Sequence, residues 1–102
     1  MSKVFVVAKS HDCSDAKLYG ELVYLTSGVL NPYAVSLMAS RLEEKLKYSQ
    51  PTDWLLLNGL PTAQALAVGI LAAKHGRVRL LMFRKGKYVE REVVFNLTRK
   101  EQ

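Results

Sequence analysis

Two turns built on one plan are the first residues in this sequence that could hold a ligand. "LTSGVLNPYAVSL" at 25–37 and "LLNGLPTAQAL" at 56–66 each leave an apolar run through a small polar residue and a glycine, Ser27-Gly28 in one and Asn58-Gly59 in the other. Each then meets a proline, Pro32 or Pro61, and opens a helical pattern. A helix N-terminus offers free backbone N–H groups and the positive end of a dipole, which together attract anions. The hydroxyls of Ser27 and Thr62 would add donors for a phosphate, and Asn31 suits the N-cap of a helix with Pro32 at its first position. The plainer reading is that Gly28 and Gly59 serve the backbone and the prolines pre-set the helix starts. With no Walker lysine and no G-x-G-x-x-G, neither an ATPase nor a dinucleotide enzyme is supported.

Charge supplies a second lead. Residues 1–50 carry six basic and five acidic side chains, whereas residues 51–102 carry nine and four, so the net +6 sits almost wholly in the second half. Lys74, Arg77, Arg79, Arg84, Lys85 and Lys87 follow one another with no acid between them. Such a run points to a polyanionic partner, or else to a solvated basic face. Arg84, Lys85 and Lys87 would add long-range attraction to phosphates held at the two turns.

Residues of other chemistries are fewer. His11, Asp12, Cys13 and Asp15 could bind a metal or act as acid and base, but an exposed polar turn is the favoured reading. Cys13, the single cysteine, rules out an intrachain disulfide and a cysteine-built zinc site. It would be a nucleophile only beside a base in an electropositive pocket. His75 could serve in phosphodiester cleavage, although capping a helix C-terminus suits it better. Trp54 reads as core, and Tyr88 either as a base-stacking ring or as a cross-strand packing residue.

The elements that must position these groups follow from period and punctuation. Residues 4–8, "VFVVA", read as a strand, and residues 18–26, "LYGELVYLT", as a second strand pairing with it in a hairpin. From Pro32, Val35, Met38, Leu42 and Leu46 recur at helical spacing to about Tyr48, ahead of Pro51. "DWLLLN", 53–58, is apolar without alternation, as a central strand covered on both faces would be. A helix over about 62–75 follows, rich in alanine, with Gly76 as its C′ residue. "RVRLLMF", 77–83, and "YVEREVVF", 88–95, form a hairpin around "RKGK", and the tail 98–102 is expected to fray. The sum is one α/β domain over 1–102, a two-layer sandwich in the order β-β-α-β-α-β-β, ferredoxin-like or minimal Rossmann-like. If the second and third strands are parallel through a right-handed crossover, both glycine turns fall at one end of the sheet.

The run Ala65–Ala73 is too short to span a bilayer, and the start of the chain lacks signal-peptide organisation, so a cytoplasmic protein is expected.

The stretch "DWLLLNGLPTAQALAVGILAAKHGRVRLLMFRKGKYV", 53–89, resembles the small ferredoxin-like accessory proteins of type III CRISPR systems, those linked to cyclic oligoadenylate. "LVYLTSGVLNPYAVSLM", 22–38, is similar to that family's strand-proline-helix entry. The most specific shared element is Gly59-Leu60-Pro61, shorter here than in the family. The resemblance implies a homo-oligomer in antiviral defence that binds a short RNA or cyclic oligonucleotide, with no cofactor. The family's hairpin aspartate and histidine are replaced here by Phe83-Arg84 and by Glu90–Val93, which puts binding ahead of cleavage. Three readings emerge. In the first, a small RNA or oligonucleotide is held by Ser27, Gly28, Asn31, Asn58, Gly59, Pro61 and Thr62, with Arg84, Lys85 and Lys87. In the second, a non-enzymatic interaction module dimerises on the Ala/Gly-rich second helix, or a DNA-binding protein serves an archaeal or viral system. In the third, a ring nuclease uses His75 or the 11–15 cluster.

Overall fold

A computed structural model describes residues 2–9, 14–26 and 31–96. The chain is a compact α/β protein with a five-stranded mixed sheet. Its elements are β1 (Lys3–Ala8), a 3₁₀ helix (Ser14–Tyr19), β2 (Glu21–Thr26), α1 (Val35–Lys45), β3 (Trp54–Leu56), α2 (Pro61–His75), β4 (Arg77–Arg84) and β5 (Lys87–Val94). The sheet order is β2-β1-β3-β4-β5. β1 pairs with both β2 and β3 in parallel, β3 pairs with β4 in parallel, and only β4 and β5 are antiparallel.

The expected hairpin between the first two strands is therefore corrected. β2 lies parallel to β1, with Lys3 opposite Glu21 and Ala8 opposite Thr26. A parallel neighbour requires a long crossover, and residues 9–20 provide it. Leu18 and Tyr19, read as strand residues, belong instead to the 3₁₀ helix in that crossover. Its Ala16 is fully buried on the sheet.

The connections explain the layers. The chain steps one way from β1 to β2, then the other way from β2 past β1 to β3 and on to β4. If all crossovers share one hand, as parallel connections do, the first must cover one face and the next two the opposite face. Burial follows that rule. Phe5, Val7, Leu25, Leu55 and Val78 face Met38, Leu42 and Leu46 of the α1 segment and Ala63, Ala67 and Leu71 of α2. Val4, Val6, Trp54, Leu56 and Leu81 face the 3₁₀ helix. β1 and β3 are thus buried on both sides, and their unbroken apolar runs follow from that.

β3 is short for a central strand, and two polar side chains extend its grip on β1. At its start the buried Asp53 carboxylate accepts N–H bonds from Lys3 (2.8 Å) and Gln50 (2.7 Å). At its end the Asn58 side chain accepts from Ala8 N (2.8 Å) and donates to Ala8 O (2.8 Å). The amide thereby stands in for a peptide unit of the strand, satisfying two backbone groups that would otherwise lack partners.

The helices begin and end for local reasons. α1 starts at Val35, later than Pro32, because Asn31 does not cap it: the Asn31 Oδ1 accepts from Tyr33 N (2.9 Å) and its carbonyl from Ala34 N (3.1 Å), which makes a turn ahead of the helix. α2 has Pro61 at its first position and ends at Gly76 in the left-handed region (φ 71°). Among the described residues no helix is long and apolar enough to cross a membrane.

Candidate functional site

Because β1 to β4 run parallel, their carboxyl ends share one rim of the sheet. The turn 57–61 and the first turn of α2 sit there, as does the 84–87 tip of the β4–β5 hairpin. In the order 2-1-3-4-5, the chain reverses its winding between β1 and β3, the place where open α/β sheets receive ligands. Ser27 and Gly28, the first expected glycine turn, lie outside the described residues, as do His11, Asp12 and Cys13. Asn31 sits in the turn before α1.

The second glycine turn is tightly occupied by the protein itself. Gly59 has φ +79°, and a Cβ built on it would stand 2.4 Å from the Ala8 Cβ. The Asn58 amide is engaged by Ala8, and Gln64 Nε2 donates to the Gly59 carbonyl (2.8 Å). Pro61 has no N–H to offer. Thr62, half-buried, is in the first turn of α2. This geometry builds a strand-to-helix connection around β1.

Arg84, Lys85 and Lys87 are exposed at the hairpin tip. Lys9, also exposed, follows β1 at the same rim and places its ammonium 5.5 Å from the Tyr24 ring centroid. The rest of the basic run is dispersed. Arg77 is bonded to Glu92 across the hairpin, with Nε 2.6 Å from the carboxylate. Arg79 lies over the Trp54 ring, 3.8 Å from its centroid, and donates to Thr52 O (2.7 Å). Trp54 is buried, wedged between Arg79 and the edge of Tyr19. Tyr88 meets Phe83 in a T-shaped cross-strand pair, with centroids 5.3 Å apart. The Tyr19 hydroxyl is pushed above its ordinary value by burial and then by the neighbouring Glu90 carboxylate, to which it is also hydrogen-bonded.

His75 is at the far end of α2, at the amino-terminal edge of the sheet. Its Nε2 is 3.0 Å from the Ser49 Oγ. Burial holds its pKa below the ordinary histidine value, helped by Lys74 and opposed by the Asp53 carboxylate. Ser49, which no spacing in the sequence singles out, is buried beside it. Each Asp53 oxygen already accepts a backbone N–H, so the carboxylate ties the start of β1 to the turn before β3. Among the described residues no group of three or more His, Cys, Asp or Glu side chains could hold a metal.

The surface that departs most from an ordinary exterior is the outer side of α2. From Trp54 to Ala73 the sequence has no charged residue. Ala63, Ala67 and Leu71 turn inward and are buried, whereas Ala65, Gly69 and Ala73 form an exposed ridge at four-residue spacing. One open groove beside the ridge is lined by Leu66 and Ile70 of α2 with Glu43 of α1 and Lys47 of the turn after it. Another is lined by Val68, Ala72 and Gly76 with Phe95. Phe95 is held there by its N–H to the Gly76 carbonyl (2.8 Å).

Fold and surface together define a small open-sheet α/β protein with a helix facing outward that is uncharged up to Ala73. Within that class, the chain belongs to the phage Pam3 gp32-like protein family, whose model matches residues 2–97. No curated protein and no solved structure matches the chain. Membership of a phage family corrects the resemblance drawn from 53–89. The chain is not placed with type III CRISPR accessory proteins, and the cyclic oligoadenylate, RNA-binding and antiviral-defence expectations that came with it fall away.

Proposed function

We propose that this phage-family protein is a non-enzymatic interaction module that self-associates through α2, displayed on a minimal Rossmann-like scaffold. One observation carries the reading: α2 is apolar nearly all round, yet only one side of it is buried by its own chain. A helix of that composition is ordinarily enclosed. In the isolated chain the ridge Ala65–Gly69–Ala73 and its two grooves face water.

Gly69 sharpens the point. A glycine inside a helix costs about 1 kcal/mol relative to alanine. Here a Cβ would meet nothing within 4 Å, so the chain's own packing gives no reason for it. A second backbone crossing at that position would give one, since small residues let two helices approach closely. A second copy is the partner that the rim fits best. A two-fold contact must be self-complementary, and the groove rim offers Glu43 beside Lys47 and Lys74, both signs on one surface.

The test uses sedimentation equilibrium on the full chain and on Gly69→Trp. The wild type is expected to form a concentration-dependent dimer. The Gly69→Trp chain should stay monomeric with unchanged thermal melting at low concentration, because the site has room for a side chain in the monomer. A wild type that remains monomeric at the highest concentration reached, or a Gly69→Trp dimer of wild-type strength, would overturn the reading.

A further inference from the structure

The β4–β5 hairpin carries a second feature that the fold does not ask for, independent of α2. β3 pairs with β4 only over Arg79–Leu81. Beyond it, Met82–Arg84 and Lys87–Val89 pair only with each other, as a two-stranded ribbon extending past β3 at the carboxyl rim. Phe83, Arg84, Lys85, Gly86 and Lys87 are all exposed. Arg84 and Lys87 stand directly opposite each other, and like charges in that relation are destabilising. Lys85 has φ +51°, and with Gly86 at φ +81° it makes a turn that favours Asn or Gly at the first position. A lysine held in the left-handed region is a local strain of the kind that gathers at functional sites. Among the described residues, none of these three cations is in a salt bridge.

We infer that this ribbon tip is a contact site for single-stranded DNA, with Arg84, Lys85 and Lys87 on phosphates and Phe83 stacking on a base. The three cations supply sequence-independent attraction to a phosphate chain. Phe83, 61% exposed and braced edge-on by Tyr88, adds an aromatic surface beside them. Cations interleaved with an open ring suit unstacked bases better than a closed duplex. The polar side chains of residues 83–87 are donors only, and phosphate oxygens satisfy them without a 2′-hydroxyl, so a DNA strand supplies all that the tip binds. Lys9 and the N-terminus of α2 lie along the same rim and continue the positive potential.

The experiment is fluorescence anisotropy of a labelled oligothymidylate against the full chain over a series of salt concentrations. Arg84→Gln/Lys85→Gln/Lys87→Gln should bind at least tenfold more weakly, and its log–log salt slope should be shallower by about 2. Phe83→Ala should lose roughly tenfold in affinity with the slope unchanged. Circular dichroism melting of each variant separates loss of binding from loss of fold. Absence of wild-type binding, or a triple variant that binds as the wild type does, would overturn the site. An unaffected Phe83→Ala, or tighter binding of duplex DNA or oligouridylate than of oligothymidylate, would overturn the assignment to single-stranded DNA.

Discussion

Gly59, in the turn that enters α2, and Gly69, on the outer side of the same helix, are glycines of opposite kinds. Gly59 is demanded by the fold: its φ is positive and a Cβ there would collide with the side chain of Ala8. Gly69 has ordinary helical geometry and open space around it. The first belongs to a connection whose polar groups bond within the chain. The second weakens a helix without any return inside the chain. A residue type alone does not mark function. A residue whose local cost finds no compensation within the molecule is the better marker, and Lys85 at the hairpin tip belongs with Gly69 in that group.

Substituting the two glycines alike breaks or confirms this distinction. Gly59→Ala should destabilise the protein by about 3 kcal/mol, the sum of a left-handed φ and a forced displacement of Ala8. Equilibrium urea unfolding measures it. Gly69→Ala should instead stabilise the monomer by roughly 0.5–1 kcal/mol, measured below the concentration at which the chain associates. Equal losses at both positions would mean that Gly69 is also structural.

Much of the scaffold was legible because it is written locally. The central, doubly covered strand showed in the unbroken "WLLL", and the end of α2 in Lys74-His75-Gly76. The pairing of β2 was not legible. Leu22, Tyr24 and Thr26 suit a hairpin strand as well as a parallel one, and the choice rests on a crossover that must pack Ala16 against the far face. α1 starts later than the spacing predicts because Asn31 and Pro32, good helix-start residues, here make a separate turn. The candidate surfaces were half legible. The small residues of α2 and the cations of the tip are visible in sequence, but their exposure is not. Ser49 and His75, 26 residues apart, come together only through tertiary packing. The misplaced family has a similar cause: strand, glycine, proline, helix is a general way to leave a strand, and it identifies no lineage.

The hairpin tip offers a second way to sharpen the comparison. Lys85→Asn replaces a strained lysine with a residue suited to the same turn and removes one of three crowded cations. It should raise stability by about 0.5–1 kcal/mol in urea unfolding. A neutral or destabilising result would show that the turn holds Lys85 without strain, and Lys85 would then leave the group it shares with Gly69.

The smallest effect is expected at His75, which is compensated within the fold as Gly59 is. Its pKa in the folded protein lies below the ordinary 6.5, chiefly because burial disfavours the imidazolium and Lys74 adds repulsion. The unfolded chain therefore takes up the proton first as pH falls. The stability that neutral His75 confers is complete above pH 6.5, declines as the pH drops from 6.5 towards the lowered folded value, and is flat beneath it. Urea unfolding between pH about 7.5 and about 5 should show that decline in the wild type and a shallower one in His75→Gln, with the other titrating groups common to both. Parallel pH profiles for the two proteins would mean that the Ser49–His75 contact is indifferent to protonation.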